Sequence, residues 1–383
     1  MPVGLAFIVG QLGLGGAEQQ LYYLLSGVDR SRFRPIVISL GPKPNEYWEQ
    51  PITKLGIPVH HIPRHIARAL RALRIANLLR LQKTQIVHGW MFHTNPYSAV
   101  AGRLANVSVR LGSMREAYSG LPGGRFLRWI GYRGLDTLIT NSTDTARQVE
   151  NLDLTSARIR MVPNGVSIPE PVSESERYRL RAQLGHSSAD LLIGSIGRMD
   201  DNKNFSMLLR VFAQLTKKWP ALRLVLIGDG PMKPELTVMA KSLGIASKVN
   251  LPGSIPLAAT YLPAMDICCL TSYTEGMPNF VMEAAAAGLP VVATRCGDNV
   301  YLIEEGVSGY LVLPDDDGTT SAYLDLLLRS PELRFRFGQA ARERMSHEFS
   351  VNTMVTRMTQ VYEEALAEKT PTYLRSRAEG RLP

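Results

Sequence analysis

Short apolar runs bounded by turn residues recur along this chain, each followed by a longer stretch whose apolar residues return every three or four positions. The first pattern predicts buried strands and the second amphipathic helices. In the first half the strand runs are "VGLAFIV", "RPIVISLG", "IPVHHI", "TQIVHG", "VRLGSM", "DTLITN" and "RIRMVPNG", and "AEQQLYYLLSGV", after the glycine loop "GQLGLGG", is a helix. Residues 168–190 interrupt the pattern with prolines, then charge, then a short helical run that buries little, which places a linker near 166–175. A second set of strands follows, "LLIGSIG", "LRLVLIGDG", "KVNLPG", "ICCLTS", "PVVAT" and "YLVLP", with helices over "NFSMLLRVFAQLTKKW", Pro234 to Gly244, "NFVMEAAAAG" and "VYLIEEG". From "TSAYLDLLLRS" onward the chain reads as helix.

Strands alternating with helices predict parallel sheets, and two such sets predict an α/β protein of two doubly wound, Rossmann-like domains. A length of 383 residues, 45% hydrophobic and 20% charged, exceeds what one core absorbs and fits two. Doubly wound sheets bind ligands at the carboxyl ends of their strands, so two facing domains would share a central cleft lined from both halves. The opening apolar segment lacks a basic flank and reaches glycines after a strand's length, so it reads as a first strand and not a signal peptide. No apolar stretch reaches the roughly 18 residues of a membrane span. Cys268, Cys269 and Cys296 are too few for a disulfide framework and lack zinc spacing, which suits a reducing cytoplasm.

Charge adds a constraint. Lys plus Arg number 43 against 34 Asp plus Glu, a formal +9 concentrated in the first third, which calls for an anionic neighbour: a phosphorylated substrate, an acidic membrane surface or nucleic acid. Nucleic acid fits poorly, because the basic residues lack interleaved aromatics and no helix-turn-helix or zinc pattern is present.

The candidate chemistry collects in "TSYTEGMPNFVMEAAAAG", residues 271–288. Glu275 and Glu283 flank a helix start marked by Gly276, Met277, Pro278 and Asn279, and bare N–H groups at such a start favour an anion. Proline suits the first turn, where a missing N–H costs nothing. Glu283, inside the helix, is either a solvated carboxylate or an acceptor for two sugar hydroxyls. In "GSIGRMDDNKN", Arg198 and Lys203 follow a strand and could neutralise two phosphates, with Gly197 permitting close backbone approach; the alternative is a solvated basic turn.

The ordered set "GRMDDNKN", "LVLIGDGP", "TEGMPNFVMEAAAAGLPVVAT" and "EEGVSGYLV", with the earlier "GLGGAE" and "VPNGV", resembles the retaining glycosyltransferases of family 4, and the resemblance spans almost the whole chain. It implies the GT-B fold, with residues 1–170 as an acceptor-binding domain, 171–349 as a nucleotide-sugar domain, and a C-terminal helix of about 350–383 packing back on the first. It further implies that Glu283 holds the ribose hydroxyls, Arg198 and Lys203 the diphosphate, and Glu275 with the N–H groups of Gly276 to Asn279 the transferred sugar and phosphate. Gly15 and Gly16 would pass close to the diphosphate from the first domain, where Ala17 and Glu18 begin a helix. In such enzymes the acceptor hydroxyl attacks from the face of the departing diphosphate, whose oxygen takes the proton, so the protein mainly stabilises developing charge. The implied partners are a nucleotide sugar and a glycan or lipid-linked acceptor, with no cofactor and no metal; the base, uracil or guanine, stays open.

Several residues depart from the family pattern or carry a second reading. His93, and less so His88, are sugar or acceptor contacts or packing residues; Arg115 and Glu116 stand where many relatives have histidine, and Arg115 is an acceptor-phosphate contact or a loop ion pair. Asp298 and Tyr301 replace a glycine and a glutamate. "PDDD" at 314–317 contains a formal D-x-D but reads as a surface turn. "RHIARALRALR" sets Arg64, Arg68 and Arg71 on one helical face with Ile66, Leu70 and Leu73 opposite, and with "GGRFLRWIGYRG" offers a surface for acidic lipids, a peripheral seat on the inner face of the membrane. Two other functions remain compatible with the residues: a nucleotide-sugar epimerase of the same fold, and a non-catalytic nucleic-acid or regulatory binding module.

Overall fold

Strand pairings among the described residues are parallel and form two separate sheets. The structure is a computed structural model and describes residues 1–41, 44–63, 65–115, 131–151 and 155–369. The first sheet contains β1 (Val3–Val9), β2 (Phe33–Ser39), β3 (Val59–His61), β4 (Ile86–Gly89), β5 (Val109–Met114), β6 (Thr137–Thr140) and β7 (Arg158–Met161), in the order β3-β2-β1-β4-β5-β6-β7. The second contains β8 (Leu191–Ile196), β9 (Leu222–Ile227), β10 (Val249–Gly253), β11 (Ile267–Leu270), β12 (Val291–Thr294) and β13 (Gly309–Val312), in the order β10-β9-β8-β11-β12-β13. These are the runs that the apolar pattern predicts, and each sheet has the strand order of a Rossmann-like domain.

The chain divides into two units, Met1–Gly165 with the chain from Val351, and Val166–Ser350. In unit 1 the helices are α1 (Gly16–Gly27), α2 (Glu49–Lys54), α3 (Arg68–Leu81), α4 (Asn95–Leu104) and α5 (Thr143–Asn151). Unit 2 adds α6 (Glu174–Gln183), α7 (Phe205–Leu215), α8 (Lys233–Ser242), α9 (Asn279–Ala286), α10 (Asn299–Leu302), α11 (Asp317–Arg329) and α12 (Pro331–Glu348); α13 (Val351–Lys369) belongs to unit 1.

Both faces of each sheet are covered, which is why the strands read as continuous apolar runs. In β1, Leu5, Phe7 and Val9 pack with Leu21 and Leu24 of α1 and Met354, Met358 and Tyr362 of α13, while Ala6 and Ile8 meet Ile75, Ala76 and Leu79 of α3. In β11, Cys268 and Leu270 join Val281, Met282 and Ala285 of α9, whereas Ile267 and Cys269 join Phe205, Leu208 and Phe212 of α7. Both cysteines are therefore core residues, and burial pushes the Cys269 thiol up to about 12.

Two elements differ from the sequence expectation. Helix α3 begins at Arg68, and its buried stripe is Ala72, Ile75, Ala76 and Leu79, so Leu70 and Leu73 face solvent at 55% and 53% exposure. Arg71 turns inward, donating to Tyr97 Oη (3.0 Å) and the Ile66 carbonyl (3.2 Å). Arg64 and most of "GGRFLRWIGYRG" lie outside the described residues. The helix expected over "VYLIEEG" is limited to Asn299–Leu302, since the Glu305 carboxylate instead accepts from Leu311 N at 3.1 Å.

The linker helix α6 docks through charge as well as through Leu180 and Leu184 in the core. Arg181, whose side chain is 4% exposed, donates to Asp266 (2.7 Å) and to the carbonyls of Ala264 and Asp190 (both 2.8 Å), and Arg177 donates to the same carboxylate at 2.5 Å. Asp266 also accepts from Leu192 N at 2.7 Å, tying α6 to β8. Removing one partner of a buried pair leaves the other charge uncompensated. Asp266→Ala should therefore destabilise unit 2 by about 3–5 kcal/mol, read as a lower urea midpoint for a transition that leaves the far-ultraviolet signal of the native state intact before unfolding.

Candidate functional site

Strand order in the second sheet reverses between β8 and β11, and the loops leaving their carboxyl ends, Gly197–Asn204 and Thr271–Pro278, lie at that reversal, where doubly wound sheets take ligands. Hydrogen bonds knit the loops together. The Asn202 side chain accepts from Thr274 N (3.0 Å) and donates to Thr274 O (2.9 Å), and Thr271 Oγ1 donates to the carbonyls of Lys203 (2.9 Å) and Asn204 (3.0 Å). Asn204 adopts a left-handed conformation (φ 46°) and its side chain caps α7, which ends the loop sharply.

This bracing joins two of the sequence candidates. Lys203 Nζ donates to Glu275 Oε1 at 2.5 Å, and Ser272 Oγ donates to the same oxygen at 2.6 Å. Arg198 stands apart, 74% exposed, with Nε 3.6 Å from Asp200. A Cβ on Gly197 would reach Lys203 Cε at an ordinary 3.6 Å, so no protein atom requires glycine there. Gly297 is required: at φ +49° its Cβ would fall 2.0 Å from the Glu275 carbonyl oxygen. Asp298 N donates to Gly276 O at 2.9 Å, so the "CGD" loop braces the Glu275–Gly276 backbone from behind. Helix α9 starts after Pro278 with no side-chain cap, Met277 is buried in the core, and Glu283 is half-buried between core residues Met282 and Ala284.

In unit 1 the order reverses between β1 and β4. The loop after β1 carries Gly10, Gly15 and Gly16 into α1, whose N-cap, Gly15, makes no side-chain hydrogen bond; the buried Glu18 carboxylate lies 2.3 Å from where a Gly15 Cβ would stand. The exposed His93 lies against Gly10, with Nε2 1.9 Å from where a Gly10 Cβ would stand. His88 is fully buried, contacting Tyr362 Oη (3.0 Å) and Ser113 Oγ (2.7 Å), which makes it a packing residue. Arg115, just after β5, sits over Trp90 with Cζ 3.7 Å from the ring centroid and donates to Asn164 Oδ1 at 3.1 Å. Glu116 lies outside the described residues.

The "PDDD" carboxylates have structural partners: Asp315 accepts from Asn204 (2.9 Å), Asp316 caps α11, and Asp317 pairs with Arg210 at 2.7 Å. Tyr301 packs edge-on against Phe349, with ring centroids 5.6 Å apart. Sequence reasoning passed over Ser272, Asn202, Trp90 and Asn164, although "VHGWMFH" and "VPNGV" contain the last two.

Comparison with known proteins defines the class. Residues 176–344 match the family model described as glycosyl transferases group 1, and residues 14–169 match the one described as glycosyltransferase family 4. An uncharacterised glycosyltransferase of Haemophilus influenzae is 34% identical over 262 residues, covering 68% of this chain and 70% of the relative. LpsE of Rhizobium meliloti, a lipopolysaccharide core biosynthesis glycosyltransferase, is 24% identical over 359 residues, covering 93% and 96%. HepE of Anabaena, solved in complex with UDP-glucose, superposes with a TM-score of 0.79 at 20% identity, over 94% of this chain and 99% of that one. The chain belongs to the family 4 glycosyltransferases and has the GT-B fold.

Burial, and secondarily the Arg115 charge, hold the His88 imidazole well below its usual range, so it is neutral in the folded protein. Unfolded His88 takes up a proton below about pH 6.5 that the folded form refuses, so this contribution is present above pH 6.5 and is lost as pH falls. Urea unfolding between pH 7 and 5 should show a slope that His88→Gln flattens by up to about 1.4 kcal/mol per pH unit.

Proposed function

We propose that this glycosyltransferase moves a hexose from a nucleotide-diphosphate sugar, with retained configuration, to a glycan or lipid-linked acceptor in polysaccharide or glycoconjugate synthesis. The observation that carries the reading is the Lys203–Glu275 pair at the β8/β11 reversal, beside the uncapped start of α9. An ammonium, a helix start and the exposed Arg198 suit a diphosphate, while Glu275 suits sugar hydroxyls. Glu283, one turn into α9, is the ribose ligand, and Gly197, Gly276, Met277, Pro278 and Asn279 provide close backbone. His93 and Arg115 are acceptor or sugar contacts. HepE's UDP-glucose and the lipopolysaccharide core role in LpsE's name are in keeping with this donor and acceptor class.

In the transfer the acceptor oxygen bonds to the anomeric carbon as the bond to the diphosphate oxygen breaks, and the acceptor proton passes to that departing oxygen. Arg198 and Lys203 offset the growing negative charge. Protein cations alone serve the diphosphate in this scheme, without cofactor or metal.

Calorimetry with UDP, GDP and UDP-glucose tests the donor site. Glu283→Ala should weaken the preferred nucleotide at least tenfold, and Arg198→Ala should cut turnover on the order of 100-fold; variants that bind and turn over like the parent would remove the reading's support.

Among the described residues no helix is long and apolar enough to cross a membrane. The exposed Leu70, Leu73 and Leu81 of α3 lie among Arg68, Arg74 and Arg80, which suits a cytoplasmic enzyme resting on an acidic bilayer. Co-sedimentation with phosphatidylserine vesicles should fall severalfold in the Leu70→Ser, Leu73→Ser double variant and with added salt, and stay low with neutral vesicles; equal sedimentation throughout would count against the seat.

A further inference from the structure

Arg115 is 9% exposed, yet among the described residues no carboxylate pairs with it. Its polar partner is an amide oxygen, Asn164 Oδ1, which also accepts from Asn141 Nδ2 at 3.3 Å. Among the described residues its buried Nε finds no acceptor, and the buried Asn141 Oδ1 finds no donor. The nearby His88 is neutral, and burial pushes the Tyr362 phenol well above its usual range, so neither supplies a negative charge. Burial lowers the Arg115 guanidinium itself to about 9, which leaves it charged at neutral pH. An enclosed cation with no counter-charge among the described residues is costly, and an arriving anion would offset that cost.

The group is also held in position. Its Cζ sits over the Trp90 ring, and the indole nitrogen donates to Ala17 O at 2.7 Å, which fixes the ring beside the first turn of α1. A guanidinium fixed in this way presents a preset fork to an oxyanion, which a lysine cannot reproduce.

We propose that Arg115, on its Trp90 platform and beside Asn164, is a seat for an oxyanion of the acceptor, a phosphate or a carboxylate, and so selects charged acceptors over neutral ones. This rests on the transferase reading above. There the donor diphosphate is already met by Arg198, Lys203 and the start of α9, so the anion for Arg115 is a second one.

The test uses the full chain saturated with UDP, which occupies the donor diphosphate site, titrated calorimetrically with inorganic phosphate, glucose 1-phosphate and glucose. The expected result is binding of both phosphates but not of glucose, weakened at least tenfold in Arg115→Met and partly retained in Arg115→Lys. Arg115→Met, which fills the same space without charge, should unfold at the same temperature as the parent or higher in phosphate-free buffer, whereas a purely structural arginine would give earlier unfolding with phosphate binding unchanged. That second pattern, or loss of all phosphate binding once UDP is present, would overturn the seat. Failure of UDP itself to bind, with phosphate binding still dependent on Arg115, would sink the donor reading and uphold the seat.

Discussion

Parallel strand pairing is the constraint on which the rest depends. In a parallel sheet every strand ends at the same edge, and where the strand order reverses the chain leaves two neighbouring strands in opposite directions. In the second sheet those strands are β8 and β11. Lys203 and Glu275 are 72 residues apart and meet because their loops leave adjacent ends and are tied by the Asn202–Thr274 and Thr271–Lys203 hydrogen bonds. The first loop has one 3-10 turn of its own, Asp201–Lys203, and the hydrogen bonds between the loops fix that turn against the second.

The two cations of this edge behave differently. Lys203 is enclosed and neutralised by Glu275, so its charge costs little while no other anion is present. An anion arriving at Lys203 would have to share or displace that carboxylate, so under the proposed function the phosphate and sugar contacts would be coupled through one oxygen. Arg198 is mostly solvated, and its long contact to Asp200 is worth little in water. It can reorient toward a ligand without breaking a strong pair. One charge is thus set in advance and the other is added on demand.

The fold was legible because strands buried on both faces carry their apolar signature locally. Helix α3 shows where that reading fails. A wheel that counts leucines as the apolar face points Leu70 and Leu73 inward, but Ala72 and Ala76 are small enough for close approach and take the buried stripe instead. The α6 linker likewise hid its docking, which runs through Arg181 and Asp266 beside a single apolar pair, Leu180 and Leu184, too short a period to mark a buried face. At the site, the spaced glutamates and the basic loop were visible as motifs. Ser272, Asn202, Trp90 and Asn164 were not, because a hydrogen bond between loops distant in sequence imposes no pattern on either one.

The C-terminal helix has a role that its apolar face does not explain. Tyr362, reaching back 274 residues to His88, completes a buried polar layer with Ser113 beneath the Arg115 guanidinium. A partly satisfied polar layer in a low-dielectric interior is costly, so each member needs its partner. Protonating His88 would set a second positive charge beside Arg115, and burial already disfavours that state. Histidine and tyrosine therefore stay neutral while arginine stays charged, leaving one net positive charge at the ends of β4 and β5. Helix α13 covers the sheet and, through Tyr362, helps fix which of these groups carries it.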